Sequence, residues 1–316
     1  MNRIEKHKRK KKKIILTVIL IITLLILLPT SYFAWDYYKS YSDAKKDSSI
    51  KQEEIDFHGK KFKGKINVLL IGVDTRKEGE VSNSDSMMIA QYDTDTKKAK
   101  LVSLMRDMYI DIPGYQKKYK LNAAFLLGGK KDGPELLRKT IKENFDIDIN
   151  YYAMIDFQGF IKAIDKSFPE GIEVNVEHEM SEGIYVTLKP GVQRLHGKEL
   201  LGFSRFRKDA ENDYGRVKRQ QEVIESVVKE VVSLNGVSKL PRMIGTIQPY
   251  IATNLETSTM ISVLTSYLMS GDQSIDKLTI PVDGAFEETK LEDRNGMQVL
   301  EIDLEKNKKA LEDFLE

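Results

Sequence analysis

The sequence predicts an α/β fold: a mixed central β-sheet flanked by helices on both faces, preceded by one N-terminal transmembrane helix. Three observations predict it. Short apolar runs alternate with longer segments of helical period, as strands and helices do when they share one layered domain. The first such run, residues 66–73, is continuously apolar apart from Asn67 and stops at Asp74, the pattern of a buried strand with polar chemistry at its C-terminal end. Ahead of it lies an apolar stretch long enough to cross a bilayer.

Residues 1–13 carry eight Lys/Arg against Glu5, a net charge of +7, so the remainder of this +2 chain carries −5. A mildly acidic body argues against nucleic acid as a partner, because that needs a basic face. Residues 14–35 form the expected anchor; Pro29, Thr30 and Ser31 interrupt it before Tyr32, Phe33 and Trp35 resume it. Trp35, Tyr37 and Tyr38 suit the far interface, and the positive-inside rule keeps residues 1–13 cytoplasmic with the rest outside. No small-x-small cleavage site follows, so the segment reads as a retained anchor in the cell membrane rather than a signal peptide. Residues 36–64 are polar and are expected to form a stalk, with the extracytoplasmic domain at 65–316. The chain has no cysteine, so its core alone must hold it.

Within the domain, 87–92 and 99–105 read as the next strands, joined by a polar hairpin loop at 93–98. Residues 110–114 form a turn, and Gly128-Gly129 another; the glycines lack the spacing of a phosphate-binding loop. Pro134 opens a helix to about Asn144. A strand at 151–156, a helix at 157–167 and a strand at 172–176 follow. Helices are expected at 197–203, 213–234, from Leu240, and at 258–269. A strand at 278–282, loop and edge at 283–300, and a helix at 303–316 complete the order.

Two arginine–carboxylate clusters carry the chemistry. The first comprises Asp74 and Arg76, Ser84-Asp85-Ser86, and Arg106-Asp107. The second comprises Arg205 and Arg207, then Asp213, Arg216, Arg219 and Gln220. Asp74 follows a buried strand, where ligands of open α/β sheets bind. Asp85 opens the next strand, so an excursion of the chain can bring both carboxylates together. With phosphate oxygens they would suit Mg²⁺, a hard cation that prefers oxygen ligands; the alternative is that each caps a turn or strand end. Arginine suits phosphate because its planar fork donates paired hydrogen bonds and stays charged. Arg205 and Arg207 alternate, so in an extended segment they point to one side. Arg216, Arg219 and Gln220 share a helix face near its N-terminus. Cations there oppose the helix dipole, a conflict that a docked anion removes. The same helix carries an apolar stripe of Val217, Ile224, Val227, Val228 and Val231. The four histidines are scattered, which leaves no nucleophile constellation and disfavours zinc.

The ordered set of Gly-Val-Asp-Thr-Arg (72–76), Ser-Asp-Ser-Met (84–87), Ser-Leu-Met-Arg-Asp (103–107), Ile-Pro-Gly (112–114), Lys-Leu-Asn-Ala-Ala (120–124) and Gly-Arg-Val-Lys-Arg-Gln-Gln (215–221) resembles the LytR-CpsA-Psr family. Phe203-Ser204-Arg205-Phe206-Arg207 matches its Arg-x-Arg element, and the resemblance spans roughly residues 65–235. It implies an Mg²⁺-assisted phosphotransferase that moves an anionic glycopolymer, of wall teichoic acid or capsule type, from a polyprenyl-pyrophosphate carrier to peptidoglycan. By resemblance, Arg106, Arg205, Arg207, Arg216, Arg219 and Gln220 would grip the pyrophosphate, with Lys120 assisting. Asp74 and Asp85 would hold Mg²⁺, and one of them would act as general base; Asp74 and Arg106 are the catalytic expectation. Many members carry Arg directly before the Ser-Asp pair where this chain has Asn83, so one phosphate contact would be either weaker or supplied by Arg76. The rival reading is a non-enzymatic protein that binds lipid-linked polymer or senses the envelope. Either way an apolar groove between sheet and helices is expected for the carrier.

Overall fold

A computed structural model describes residues 3–48, 55–60, 63–74, 84–233 and 238–316. The central sheet has six strands: β1 (Lys65–Val73), β2 (Ser84–Asp93), β3 (Ala99–Leu104), β6 (Tyr151–Asp156), β9 (Ala252–Thr253) and β10 (Ile275–Ile280). Their order is β10-β3-β2-β1-β6-β9. β1 runs parallel to β6 and antiparallel to β2, and β3 runs antiparallel to β2 and parallel to β10. The sheet is therefore mixed, and the C-terminal ends of β1, β3, β6 and β10 lie along one edge.

Alternation along the strands assigns the two faces. Leu69, Ile71 and Val73 of β1 and Met87 and Ile89 of β2 enter the main core. That face is covered by α2 (Ala123–Phe145), through Leu137, Ile141 and Phe145, and by α8 (Leu304–Leu315), through Leu311 and Leu315. The opposite face, reached by Leu70, Met88 and Ala153, looks toward α3 (Phe157–Ser167), α4 (Gly197–Arg205), α5 (Asn212–Ser233) and α6 (Leu240–Ile247). α7 (Thr257–Leu268) packs on α6. Helices thus flank both faces, as the sequence predicts.

Several boundaries differ from expectation. α2 starts at Ala123, ahead of Pro134, and Gly129 (φ 69°, ψ −167°) breaks its path, so the expected glycine turn survives as a kink inside a longer element. Residues 283–300, expected as loop and edge, contain most of a hairpin of β11 (Phe286–Leu291) and β12 (Met297–Ile302). Half of its strand residues are exposed and half are polar, in an order that gives little alternation to read. The short pairs β4 (Tyr109–Ile110) with β5 (Tyr119–Lys120), and β7 (Ile172–Val176) with β8 (Gly191–Leu195), complete the strands.

The N-terminal segment is one helix, α1 (Arg3–Lys45), unbroken by Pro29 and long and apolar enough to cross a membrane. It fits a single-pass anchor. The expected stalk at 36–64 needs correction. Residues 36–48 pack on α6, with Asp36 accepting from Arg242 Nε at 3.0 Å and Nη2 at 2.8 Å, and Tyr250 Oη donating to the Ala44 carbonyl at 3.1 Å. Farther on, the His58 N–H donates to Glu135 Oε2 at 3.0 Å, the Lys60 N–H to the Ile149 carbonyl at 3.0 Å, and Phe57 packs on the Tyr152 ring at 5.0 Å. Most of these contacts use polar side chains and backbone groups, and the apolar ones, at Ile55 and Phe57, are too few to set up a period.

Candidate functional site

The sheet edge where parallel strands end is also where the two clusters meet. β1 delivers Asp74 just past Val73, and a register shift between Gly72 and Val73 leaves Asp85 opposite the irregularity. β3 ends at Leu104 and hands over to Arg106 and Asp107. α4 ends on Arg205, and α5 starts one turn before Arg216.

Between the sheet and the helices lies a chamber of about 440 Å³. Its walls are Leu70, Met88, Ala153 and Ile155 from the sheet, Phe160, Ala163 and Ile164 from α3, and Val223, Ile224 and Val227 from α5. Ile247 and Ile251 close the α6 side. The apolar stripe expected to be buried core on α5 therefore does something further: Ile224 and Val227 face this space. Polar residues gather at the chamber's rim, where Asp85, Arg106, Arg205, Arg207, Arg216 and Gln220 come together.

Arg106 Nη1 donates to Asp85 Oδ1 at 2.8 Å, and its Nη2 lies 4.0 Å from Asp213 Oδ1. Asp213 also accepts from Arg216 Nη2 at 2.8 Å and Arg207 Nη1 at 3.2 Å. One carboxylate thus gathers three guanidinium groups. Arg205 Nη2 sits 3.8 Å from Asp74 Oδ2, and its guanidinium lies 4.3 Å from the Phe157 ring centroid. Arg216 is only 4% exposed. Burial lowers its pKa to about 10; Asp213 opposes that shift, while Arg106 and Arg207 reinforce it. It remains charged at neutral pH, at an energetic cost that an anion would relieve.

Asp85, Arg106, Arg205, Arg207, Arg216 and Gln220 line the chamber as the sequence suggests. Asp74 adjoins it through Arg205. Two expectations fall elsewhere. Arg219 turns away, donating to Asp209 Oδ2 at 2.7 Å and to the Phe206 carbonyl at 2.6 Å, so it pins the turn that carries Arg207. Lys120 pairs with Asp107 at 2.7 Å, off the chamber wall. Arg76 and Asn83 lie outside the described residues. Arg205 and Arg207 do converge, but not by strand alternation: Arg205 closes a helix, and Phe206 leaves it in an extended conformation. Sequence reading places Asp213 in the second cluster but assigns it no partner. Its spacing three residues before Arg216 was the available signal for the ion pair.

Asp74 lies just past β1 and Asp85 sits opposite the shift in its register, so the two carboxylates stand on neighbouring strand ends, and Mg²⁺ commonly takes one or two carboxylates completed by water and phosphate oxygens. Among the described residues, no group of three or more His, Asp or Glu offers a fuller protein cage.

Fold and site together define an α/β domain that follows an N-terminal helix fit for a single-pass anchor and holds an apolar chamber beneath an arginine–carboxylate rim. The chain matches the LytR_cpsA_psr family model over residues 31–313, and it belongs to that family. It is 45% identical over 253 residues to "Regulatory protein MsrR" of Staphylococcus aureus (strain COL), covering 80% of this chain and 75% of the relative. It is 33% identical over 237 residues to "Polyisoprenyl-teichoic acid--peptidoglycan teichoic acid transferase TagU" of Enterococcus faecalis, covering 74% and 75%. Among solved structures, Bacillus subtilis TagV superposes with a TM-score of 0.69 at 25% identity, over 81% of this chain and 98% of that one. The family protein YwtF (TagT), with bound octaprenyl pyrophosphate lipid, shares the fold at a TM-score of 0.58 and 23% identity, over 85% and 95%; ywtF is from Bacillus subtilis.

Proposed function

We propose that this protein transfers an anionic glycopolymer from a polyprenyl-pyrophosphate carrier to peptidoglycan, working outside the membrane that residues 14–35 span. The observation that carries this reading is the joining of an arginine rim to an apolar chamber. A ligand that fills both has a doubly charged head on a long hydrocarbon tail. The transferase name of TagU and the lipid held by YwtF (TagT) support the same reading.

In this reading Arg106, Arg207, Arg216 and Gln220 hold the diphosphate, and Arg205 is steadied over Phe157. Arg219 and Lys120 support the neighbouring loops. Asp74 and Asp85 would hold Mg²⁺, which would neutralise charge on the phosphate oxygens. An acceptor hydroxyl attacks the phosphorus nearest the polymer while Asp74 takes its proton. The bond from that phosphorus to the bridging oxygen breaks, and polyprenyl phosphate leaves with its charge spread over the arginines. No covalent enzyme intermediate is needed, since positioning and charge stabilisation dominate phosphoryl transfer.

The test is incubation of the full chain in detergent with a polyprenyl-pyrophosphate glycan, peptidoglycan oligomers and Mg²⁺, followed by mass spectrometry for a phosphodiester-linked product. Product that vanishes with EDTA and with Arg106→Ala supports the reading. Carrier binding without product, where an authentic transferase succeeds, supports the second reading, a carrier-binding protein with an indirect regulatory effect. The regulatory name of the 45%-identical relative keeps that second reading in view.

A further inference from the structure

Residues 36–48, just after the apolar stretch, are held closely against the domain. α1 continues without a break from the apolar stretch to Lys45, and its last turns lie alongside α6 in the same direction. Asp36 meets Arg242, Tyr37 meets Gln248 and Ala44 meets Tyr250. Ser48 reaches the Pro249 carbonyl beyond the helix end. The helices touch at backbone distance: a Cβ on Gly245 would lie 2.5 Å from the Tyr37 carbonyl oxygen, so only glycine permits this approach. Asp36 is 4% exposed, and a carboxylate buried to that degree must keep its partner. Immediately before it, Tyr32 and Trp35 are 54% and 55% exposed, the residue types that settle at a bilayer interface.

The same α6 is a wall of the chamber. Ile247 and, just past the helix, Ile251 line it. One short helix therefore bears the carrier's space on one side and the anchor on the other. A flexible stalk would let the domain wander over the membrane. A helix gripped within a residue of the interface fixes the chamber's pose above the lipid.

We propose that residues 36–48 are a brace: Asp36, Arg242 and Gly245 act as positioning residues that hold the chamber where it takes a long-chain carrier directly from the bilayer. This rests on the carrier-binding reading above. The brace touches neither head nor tail of the carrier, so it governs capture from a membrane and leaves intrinsic affinity for a soluble analogue unchanged.

The test uses the full chain and two probes, farnesyl diphosphate in detergent and fluorescent octaprenyl diphosphate embedded in proteoliposomes. The variants are a short Gly/Ser insertion between Trp35 and Asp36, which leaves the grip intact but uncouples it from the span; Asp36→Ala with Arg242→Ala; and the charge swap Asp36→Arg with Arg242→Asp. The expected result is capture from vesicles reduced about tenfold or more by the insertion and the double alanine variant, because fixed geometry sets the effective concentration. Farnesyl diphosphate binding stays at the wild-type level, and the swap recovers part of the capture. Wild-type vesicle capture by the insertion variant would overturn the proposal. So would equal loss of both probes in the double alanine variant, which would mark a merely structural contact. A wild-type chain that binds neither probe would refute the carrier-binding reading, and the brace with it.

Discussion

Asp213 Oδ2 accepts a hydrogen bond from Arg216 Nη2 at 2.8 Å, one turn along α5 and at the rim of the chamber. Arg207 and Arg106 approach the other oxygen at 3.2 and 4.0 Å. Three cations share one carboxylate there, and a diphosphate would compete for the same donors.

Arg216 should therefore trade stability for binding. Its folded pKa of about 10 lies well below the usual arginine range, because burial disfavours the charge. Folding thus disfavours its protonated form, and the domain gains stability as pH rises above about 10 toward the ordinary arginine range. At neutral pH the charge is a cost. Arg216→Met is expected to raise Tm without ligand, at roughly 2–4 °C per kcal/mol recovered. It should also abolish the rise in Tm that farnesyl diphosphate gives the wild type. Differential scanning calorimetry with and without the diphosphate checks both parts.

Arg106→Ala should separate chemistry from folding. Arg106 bridges Asp85 and Asp213 at the rim, and its side chain is 18% exposed. Losing a preorganised cation at the reacting phosphate is expected to lower transfer by about 10²-fold or more. The far-ultraviolet circular dichroism spectrum should be unchanged. Turnover within a few-fold of wild type would remove Arg106 from the proposed machinery.

Filling the chamber should discriminate by tail length. Val227 lines it from α5. Val227→Trp is expected to block octaprenyl diphosphate while sparing inorganic pyrophosphate, which needs only the rim. Overpacking there costs about 1–3 kcal/mol, a loss the fold should survive. Competition binding with the two probes reads the result.

Acid should loosen the segment at residues 55–60. Burial alone would raise the pKa of Glu135, but hydrogen bonds from Arg138 and the His58 N–H outweigh it and hold it below the usual carboxylate range. A depressed carboxylate contributes stability above its unfolded pKa and loses it as pH falls through the folded value. Unfolding midpoints should therefore drop below about pH 4.5 in the wild type, with a shallower drop in Glu135→Gln. Urea denaturation across that range is the measurement.

Most of the sheet was legible because its strands are short apolar runs with clear ends, as in 66–73 and 151–156. The hairpin of β11 and β12 was not, because charged and polar residues fill positions on both of its faces. At the site, arginine spacing located Arg106, Arg205, Arg207 and Arg216. It could not tell Arg216, which enters the rim, from Arg219, which turns to Asp209. Both lie on one helix face, and only the path of the preceding turn separates their roles. The docking of 36–48 is not legible for a related reason: a buried Asp36 and a backbone approach at Gly245 leave no hydropathy signal.

The edge strand β10 pairs with β3 from the far end of the chain, and the Leu300 N–H donates to the Asp107 carbonyl beside the site. Arg106 is thus flanked by contacts that only the C-terminal segment can supply. Pairings this distant in sequence close late, after the entropy of a long loop has been overcome. A nascent chain would hold its N-terminal arginines and aspartates in place only once its last strands had arrived. The proposed reactive corner would thus mature last, so a chain ending before β10 is expected to carry the N-terminal helix without an assembled site edge.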